Sequence, residues 1–376
     1  MAARPITPAT VRAAPKVLLH DHLDGGLRPT TVIELADEID HALPSTDPAQ
    51  LHAYFVRGAA AGDILQYLDT FQHTAGVMQR ADHLERVARE CAVDLAADGV
   101  VYAEVRYAPE LHQAGGLTLD DVVEAVNAGL RRGEAEAAAA GTPIVVNTIL
   151  CAMRTGARSL EIARLVGRWR DRDDKVVAFD LAGAETGFPP SLHAEALAFA
   201  RAEHLNITIH ASEPPDLELI GDALAHGAHR IGHGVRIQAD IEWNPDDPTT
   251  ATLGPLARHV LDRGIPLEMA PSCHVQIGAV ASVEAHPFER LRRLGFVVTV
   301  NTDNRLMSNV SVASETLLLA ETFGWGWPQL FEVAANGIRS AFAPHEVRQR
   351  LLVEVLAPAY AAAASTDQPA DPARFA

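Results

Sequence analysis

The stretch from Lys16 to Gly26 reads KVLLHDHLDGG: an apolar run ending in two histidines around an aspartate, then a second aspartate and two glycines. In an extended strand alternate side chains share a face, so His20 and His22 look one way and Asp21 the other. Two imidazoles on one strand face can grip a metal ion. Other apolar segments end in residues of the same chemical kind: His210 and Glu213 in NITIHASE, His233 in RIGHGVRI, Asp303 and Asn304 in FVVTVNTDN. The chain has 17 histidines, so each of these read alone is an ordinary core or surface residue; their conjunction at four strand ends is what points to a metal site. Imidazoles with one carboxylate suit zinc best, with iron, cobalt or manganese as other options. His20, His22, His210 and Asp303 would hold one zinc ion and leave room for a water, whose pKa the metal lowers from about 15.7 to about 7. Glu213, three residues after His210, is placed to act as general acid or base, and His233 to orient the hydroxide. A two-metal layout would need a carboxylated lysine or a bridging acid at the tip of the fourth strand. Lys175 stands at the start of that segment, Asp180 precedes its tip and Gly183 ends it, so one metal is the better reading.

The elements that must position these residues are eight short apolar segments: Lys16 to His22, Val100 to Pro109, Ile144 to Met153, Val176 to Gly183, Asn206 to Glu213, Arg230 to Ile237, Ile265 to Ser272 and Phe296 to Asp303. Between them run Ala-, Glu- and Arg-rich stretches of helical periodicity, such as LDDVVEAVNAGLRRGEAEAAAA. Strands alternating with helices imply a parallel sheet, and eight such units imply an α/β fold of the (β/α)₈ TIM-barrel type, whose active sites form at the C-terminal strand ends. Periodicity alone does not exclude an open doubly wound sheet. The gap from Gly25 to Val100 exceeds one crossover helix and predicts extra capping helices after the first strand. The expected organisation is an N-terminal extension over residues 1–15, one barrel domain over 16–364 and a disordered tail over 365–376.

Composition narrows the partners. The 376 residues are 48% hydrophobic and 21% charged, and 31 Lys and Arg stand against 49 Asp and Glu, a formal charge of -18. An acidic chain is a poor binder of nucleic acid or anionic membrane, because that binding needs clustered cations. Three widely spaced cysteines without any CxxC argue against a disulfide framework. No signal-peptide core is visible, and no apolar run approaches the ~20 residues of a membrane span, so a cytoplasmic protein is expected.

Taken together and in order, LLHDHLDGG, DLAGAE, HASE, RIGHGVRI and VNTDN resemble the adenosine deaminase family of the metal-dependent amidohydrolase superfamily, from about Lys16 to Tyr360, with the longer matches most like actinobacterial members. The resemblance implies zinc on His20, His22, His210 and Asp303. It implies that Glu213 protonates purine N1 while hydroxide, positioned and activated by His233 and Asp303, attacks C6. His22 and Asp24 would contact the substrate, Asp24 accepting a ribose hydroxyl with the glycines beyond it near the sugar. The Gly183 N–H would meet N3 and Asn304 would donate to N7. The partner is then a purine nucleoside, and inosine and ammonia are the products. A protonated Glu213 requires a pKa raised by burial. The other zinc deaminase class is excluded by the missing PCxxC signature. DILQYLDTF presents Ile64, Tyr67, Leu68 and Phe71 on one helical face where the family places a hydrophobic gate; ordinary packing of a capping helix explains them equally well.

Three departures stand out. Asn304 replaces the more usual aspartate, and an amide donates at any pH. HASE replaces HAGE, placing Ser212 where glycine is usual and inviting backbone strain. In the seventh segment, EMAPSCH stands for a common CPTSN pattern, so Cys273 and His274 occupy the serine and asparagine positions; this is drift in a supporting loop or an altered pocket. Glu104 and Arg106 share a face of the second strand and are expected to form a buried structural pair. Deamination of another 6-aminopurine, adenine or a modified-sugar nucleoside such as aminodeoxyfutalosine, and a non-catalytic nucleoside-binding role are the competing functions.

Overall fold

The structure is a computed structural model that describes residues 3–60, 70–244 and 250–365. Its strands, in chain order, are β1 (Lys16–His22), β2 (Val100–Tyr107), β3 (Val145–Met153), β4 (Val176–Ala182), β5 (Asn206–Ala211), β6 (Arg230–His233), β7 (Ile241–Trp243), β8 (Ala251–Leu253), β9 (Leu267–Met269) and β10 (Val298–Val300). Eight of them form one parallel sheet in the order β1-β2-β3-β4-β5-β6-β9-β10, while β7 and β8 make a small antiparallel hairpin. The sheet curls until its ends meet just beyond β10. There the Asp303 N–H donates to the His20 carbonyl at 3.0 Å, and the Asp303 carbonyl accepts from the His22 N–H at 2.7 Å. This (β/α)₈ barrel follows from eight β-branched, apolar segments that each need a helix to cover the outer face. The backbone closure also brings Asp303 beside the two histidines of β1.

The predicted capping helices after β1 are present, at Pro29–Glu38, Pro48–Ala59 and Phe71–Val77, ahead of the longer Ala81–Ala97. Before β1, residues Pro8–Ala13 form a helix capped by Thr7, and the buried Lys16 ammonium donates to the carbonyls of Val11, Arg12 and Ala14 at its C-terminal end. Residues 366–376 of the expected disordered tail lie outside the described residues. Among the described residues no helix is long and apolar enough to cross a membrane.

The barrel interior is ionic rather than oily. Glu104 and Arg106 are both fully buried there, as expected, but they do not pair with each other. Glu104 accepts from Arg230 Nη2 at 2.6 Å and from Tyr102 Oη at 2.7 Å. Arg106 instead donates to Asp180 at 2.8 Å and to Glu268 at 2.7 Å. Two residues apart on one strand, the side chains point side by side and find partners across the barrel.

Candidate active site

Three of the strand ends leave the β region abruptly: Ser212 has φ 76°, His233 φ 62° and Asp303 φ 56°. Non-glycine residues in this left-handed region carry strain of order 1–3 kcal/mol each and concentrate at functional sites. The side chains of His233 and Asp303, at two of these turns, meet the histidines of the neighbouring strands. Ligand-type atoms of His20, His210, His233 and Asp303 lie within 4.8 Å of one another. His22 joins the set, with Nε2 3.1 Å from His210 Nε2 and 3.4 Å from Asp303 Oδ1.

The donor set fits a metal ion. His20 Nδ1 donates to Glu268 Oε2 at 2.8 Å, which leaves its Nε2 a bare lone pair. That buried Nε2 has no hydrogen-bond partner and faces Asp303 Oδ1 at 3.3 Å. A lone pair facing a carboxylate oxygen is repulsive unless a cation lies between them. Separations of about 3.4 Å are what ligand bonds of about 2.1 Å at tetrahedral angles produce, and the contacts among Asp303, His20, His22 and His210, 3.1 to 3.4 Å, match. Burial pushes the imidazoles of His20 and His22 well below the ordinary histidine range, so both are held in the neutral form that binds metals. Asp180 Oδ2 stands 2.9 Å from His210 Nδ1, and Cys273 Sγ donates to Asp303 Oδ2 at 2.9 Å. His20, His210 and Asp303 therefore each have a group behind them that sets their orientation.

Glu213 sits across from this cluster, its side chain 12% exposed and its Oε1 3.4 Å from His233 Nε2. Burial first, then the nearby carboxylates of Glu185 and Asp303, push its pKa well above the ordinary carboxyl range, the direction a proton donor needs. A cleft of about 340 Å³, mostly apolar, is lined by His22, Asp24, Phe71, Met153 and Gly183 among others. Burial raises Asp24 to about 7, and its Oδ1 has no partner. Phe71 begins its helix with its ring 6.4 Å from that of His22; Ile64, Tyr67 and Leu68, the rest of the expected gate, lie outside the described residues. Gly183 has φ 91°, and a Cβ there would meet Met153 at 2.9 Å. The two glycines of LDGG pack closely against the eighth barrel strand's exit: a Cβ on Gly25 would stand 2.0 Å from Asn304 Oδ1 and one on Gly26 2.3 Å from Arg305 Nη2.

Several residues of the site escaped the sequence reading. Glu268 backs His20, and a charged residue inside an otherwise apolar strand was its available signal; Asp180, weighed in the sequence only as a bridging ligand, backs His210 instead. Glu185 accepts from the backbone N–H groups of Ser212 and Glu213. His274 hydrogen-bonds His233, so the Cys273–His274 departure is neither drift nor pocket lining: both residues support groups of the cluster. Lys175, by contrast, donates to Glu134 at 2.5 Å, near the opposite end of β4.

A parallel barrel with buried histidines and a carboxylate at the C-terminal strand ends defines a hydrolase of the metal-dependent amidohydrolase type. The adenosine deaminase family model matches residues 15–358, and the chain belongs to that family. It is 53% identical over 359 residues to the adenosine deaminase of Mycolicibacterium vanbaalenii, covering 95% of this chain and 98% of the relative. Adenosine deaminase 1 of Streptomyces coelicolor is 51% identical over 357 residues, covering 94% and 89%. Among solved structures, a zinc-bound amidohydrolase from Burkholderia ambifaria superposes with a TM-score of 0.79 at 24% identity, covering 96% of each chain. An adenine deaminase from Arthrobacter aurescens gives 0.77 at 24% identity, covering 91% and 98%; likeness at this level speaks for the fold.

Proposed function

We propose that the protein catalyses the hydrolytic deamination of adenosine and 2′-deoxyadenosine to the corresponding inosines and ammonia, in cytoplasmic purine salvage, with one zinc ion held by His20, His22, His210 and Asp303. The observation that carries the reading is Glu213, its Oε1 3.4 Å from His233 Nε2 beside the histidine–aspartate cluster, in a chain 53% identical to an adenosine deaminase. When bound, zinc supplies hydroxide at neutral pH by lowering the pKa of a water to about 7. Glu213 holds its proton for purine N1, where charge grows as attack at C6 breaks aromaticity, so it stabilises the transition state more than the ground state. His233 directs Nε2 at the attacking oxygen, and Asp303 shares in holding it. Asp24 meets the ribose, the Gly183 N–H meets N3, and Asn304 donates to N7. The apolar cleft excludes water from the purine.

The test is the ultraviolet change on conversion of adenosine to inosine by zinc-loaded protein, with adenine as a parallel substrate. Glu213→Gln should lower kcat by about 10²–10⁴ while leaving zinc bound. Turnover of adenine alone, or full activity in the variant, would overturn the reading.

A further inference from the structure

His233 heads a line of three buried imidazoles that ends on a backbone amide. The Phe288 N–H donates to His286 Nδ1 at 3.1 Å. His286 Nε2 lies 2.8 Å from His274 Nδ1, and His274 Nε2 lies 3.0 Å from His233 Nδ1. The rings of His274 and His286 stack with an interplanar angle of 8°. All three are at most 1% exposed.

A peptide N–H can only donate, and this one fixes the direction of the whole line. His286 Nδ1 must offer a lone pair, so its hydrogen is on Nε2. That hydrogen can only be given to His274 Nδ1, which places the hydrogen of His274 on its own Nε2. His274 then donates to His233 Nδ1, and the hydrogen of His233 is on Nε2, the atom facing Glu213 and the metal cluster. An imidazolium anywhere in the line would set two N–H groups against each other, so the line also keeps all three rings neutral. From this geometry we infer that His274 and His286 are positioning residues, which lock His233 in the Nε2–H tautomer so that it meets the attacking oxygen as a hydrogen-bond donor. The device belongs to the EMAPSCH segment, in which His274 stands where the common pattern has asparagine.

The inference rests on the deaminase reading for its consequence but not for its observable. Nitrogen-15 spectra of the histidine-labelled, zinc-loaded protein should report His233, His274 and His286 each with Nδ1 unprotonated and Nε2 protonated. His286→Phe removes the first donor, and His233 should then show both tautomers. Its kcat should fall roughly tenfold, as for loss of other groups that orient a catalytic residue, with zinc content and KM unchanged. His274→Gln should keep the tautomer and most of the activity, because the carboxamide offers an acceptor and a donor in the same order. A wild-type spectrum with His233 protonated on Nδ1 overturns the inference without any variant, and so does an unaltered His233 tautomer in His286→Phe. Failure of the deaminase reading would appear separately, as a wild-type protein inert toward adenosine.

Discussion

Glu185 grips Ser212 by its backbone: one carboxylate oxygen accepts the Ser212 N–H at 2.6 Å and the other accepts the Glu213 N–H at 3.2 Å, while Ser212 sits at φ 76°. Two consecutive amides aimed at one carboxylate hold the turn that aims Glu213 into the site. The strain of the left-handed serine is thereby offset by two charge-assisted hydrogen bonds.

Ser212→Gly should therefore stabilise the fold. The Ser212 hydroxyl is buried without a partner, and glycine removes both that unmet group and the positive-φ strain. The gain, less the entropy glycine adds to the unfolded chain, should be about 1 kcal/mol in urea unfolding. Ser212→Ala loses the hydroxyl and keeps the strain, so it separates the two causes. If the glycine variant is no more stable than the alanine one, strain at this position contributes nothing.

Glu185 also acts on Glu213 through charge. A negative neighbour raises a carboxyl pKa, so neutralising it in Glu185→Gln lowers the pKa of Glu213, while the amide oxygen still accepts one backbone hydrogen bond. Glu213 serves as an acid only when protonated, and its contribution disappears as pH rises through its pKa. The alkaline limb of kcat against pH should accordingly move to lower pH in the variant. A limb that stays in place, or moves up, would remove Glu185 from the electrostatics of the proton donor.

How far the site was legible in the sequence depends on which kind of contact made it. The barrel, and the arrival of His20, His22, His210 and Asp303 at one mouth, were readable because period-two alternation and strand–helix succession fix which end of each strand a residue reaches. Six of the eight predicted strands overran: the segments through Pro109, Gly183, Glu213, Ile237, Ser272 and Asp303 end in the structure at Tyr107, Ala182, Ala211, His233, Met269 and Val300, and positive-φ Ser212, His233 and Asp303 all fall inside three of these overruns or at their start. No local propensity announces a serine, histidine or aspartate in that conformation, since the surrounding structure imposes it. The partners of Glu104 and Arg106 were out of reach for a related reason: cross-barrel pairing is set by the stagger of strands far apart in sequence. His274 and His286, twelve residues apart, meet through a turn that no periodicity describes.

Arg106 links the ionic interior to the histidine–aspartate cluster. It donates to Asp180, which stands behind His210, and to Glu268, which stands behind His20. Arg106→Met should leave two buried carboxylates short of a cation and destabilise the protein by about 3–5 kcal/mol in urea unfolding. Where the variant folds, the loosened carboxylates should weaken zinc binding by about 10–100-fold in competition with a chromophoric chelator. A destabilised variant with wild-type zinc affinity would confine Arg106 to the fold.

The closing glycines of LDGG give the last test. Asn304 is 2% exposed, and its Oδ1 has no hydrogen-bond partner in the protein. A methyl group on Gly25 would stand 2.0 Å from Oδ1 and 2.8 Å from Cγ, closer than any van der Waals contact, so in Gly25→Ala the amide must turn away. If Asn304 donates to purine N7, losing that bond in a buried site should cost about 1–3 kcal/mol, or roughly 10–100-fold in kcat/KM for adenosine. Zinc content measured beside the kinetics separates loss of the amide's contact from a shift of the neighbouring Asp303. Competitive inhibition by 7-deazaadenosine, which has no N7, should be the same for wild type and variant. Were the variant to lose affinity for the 7-deaza compound as much as for adenosine, the glycine would be shaping the cleft as a whole and the Asn304–N7 contact would not explain the loss.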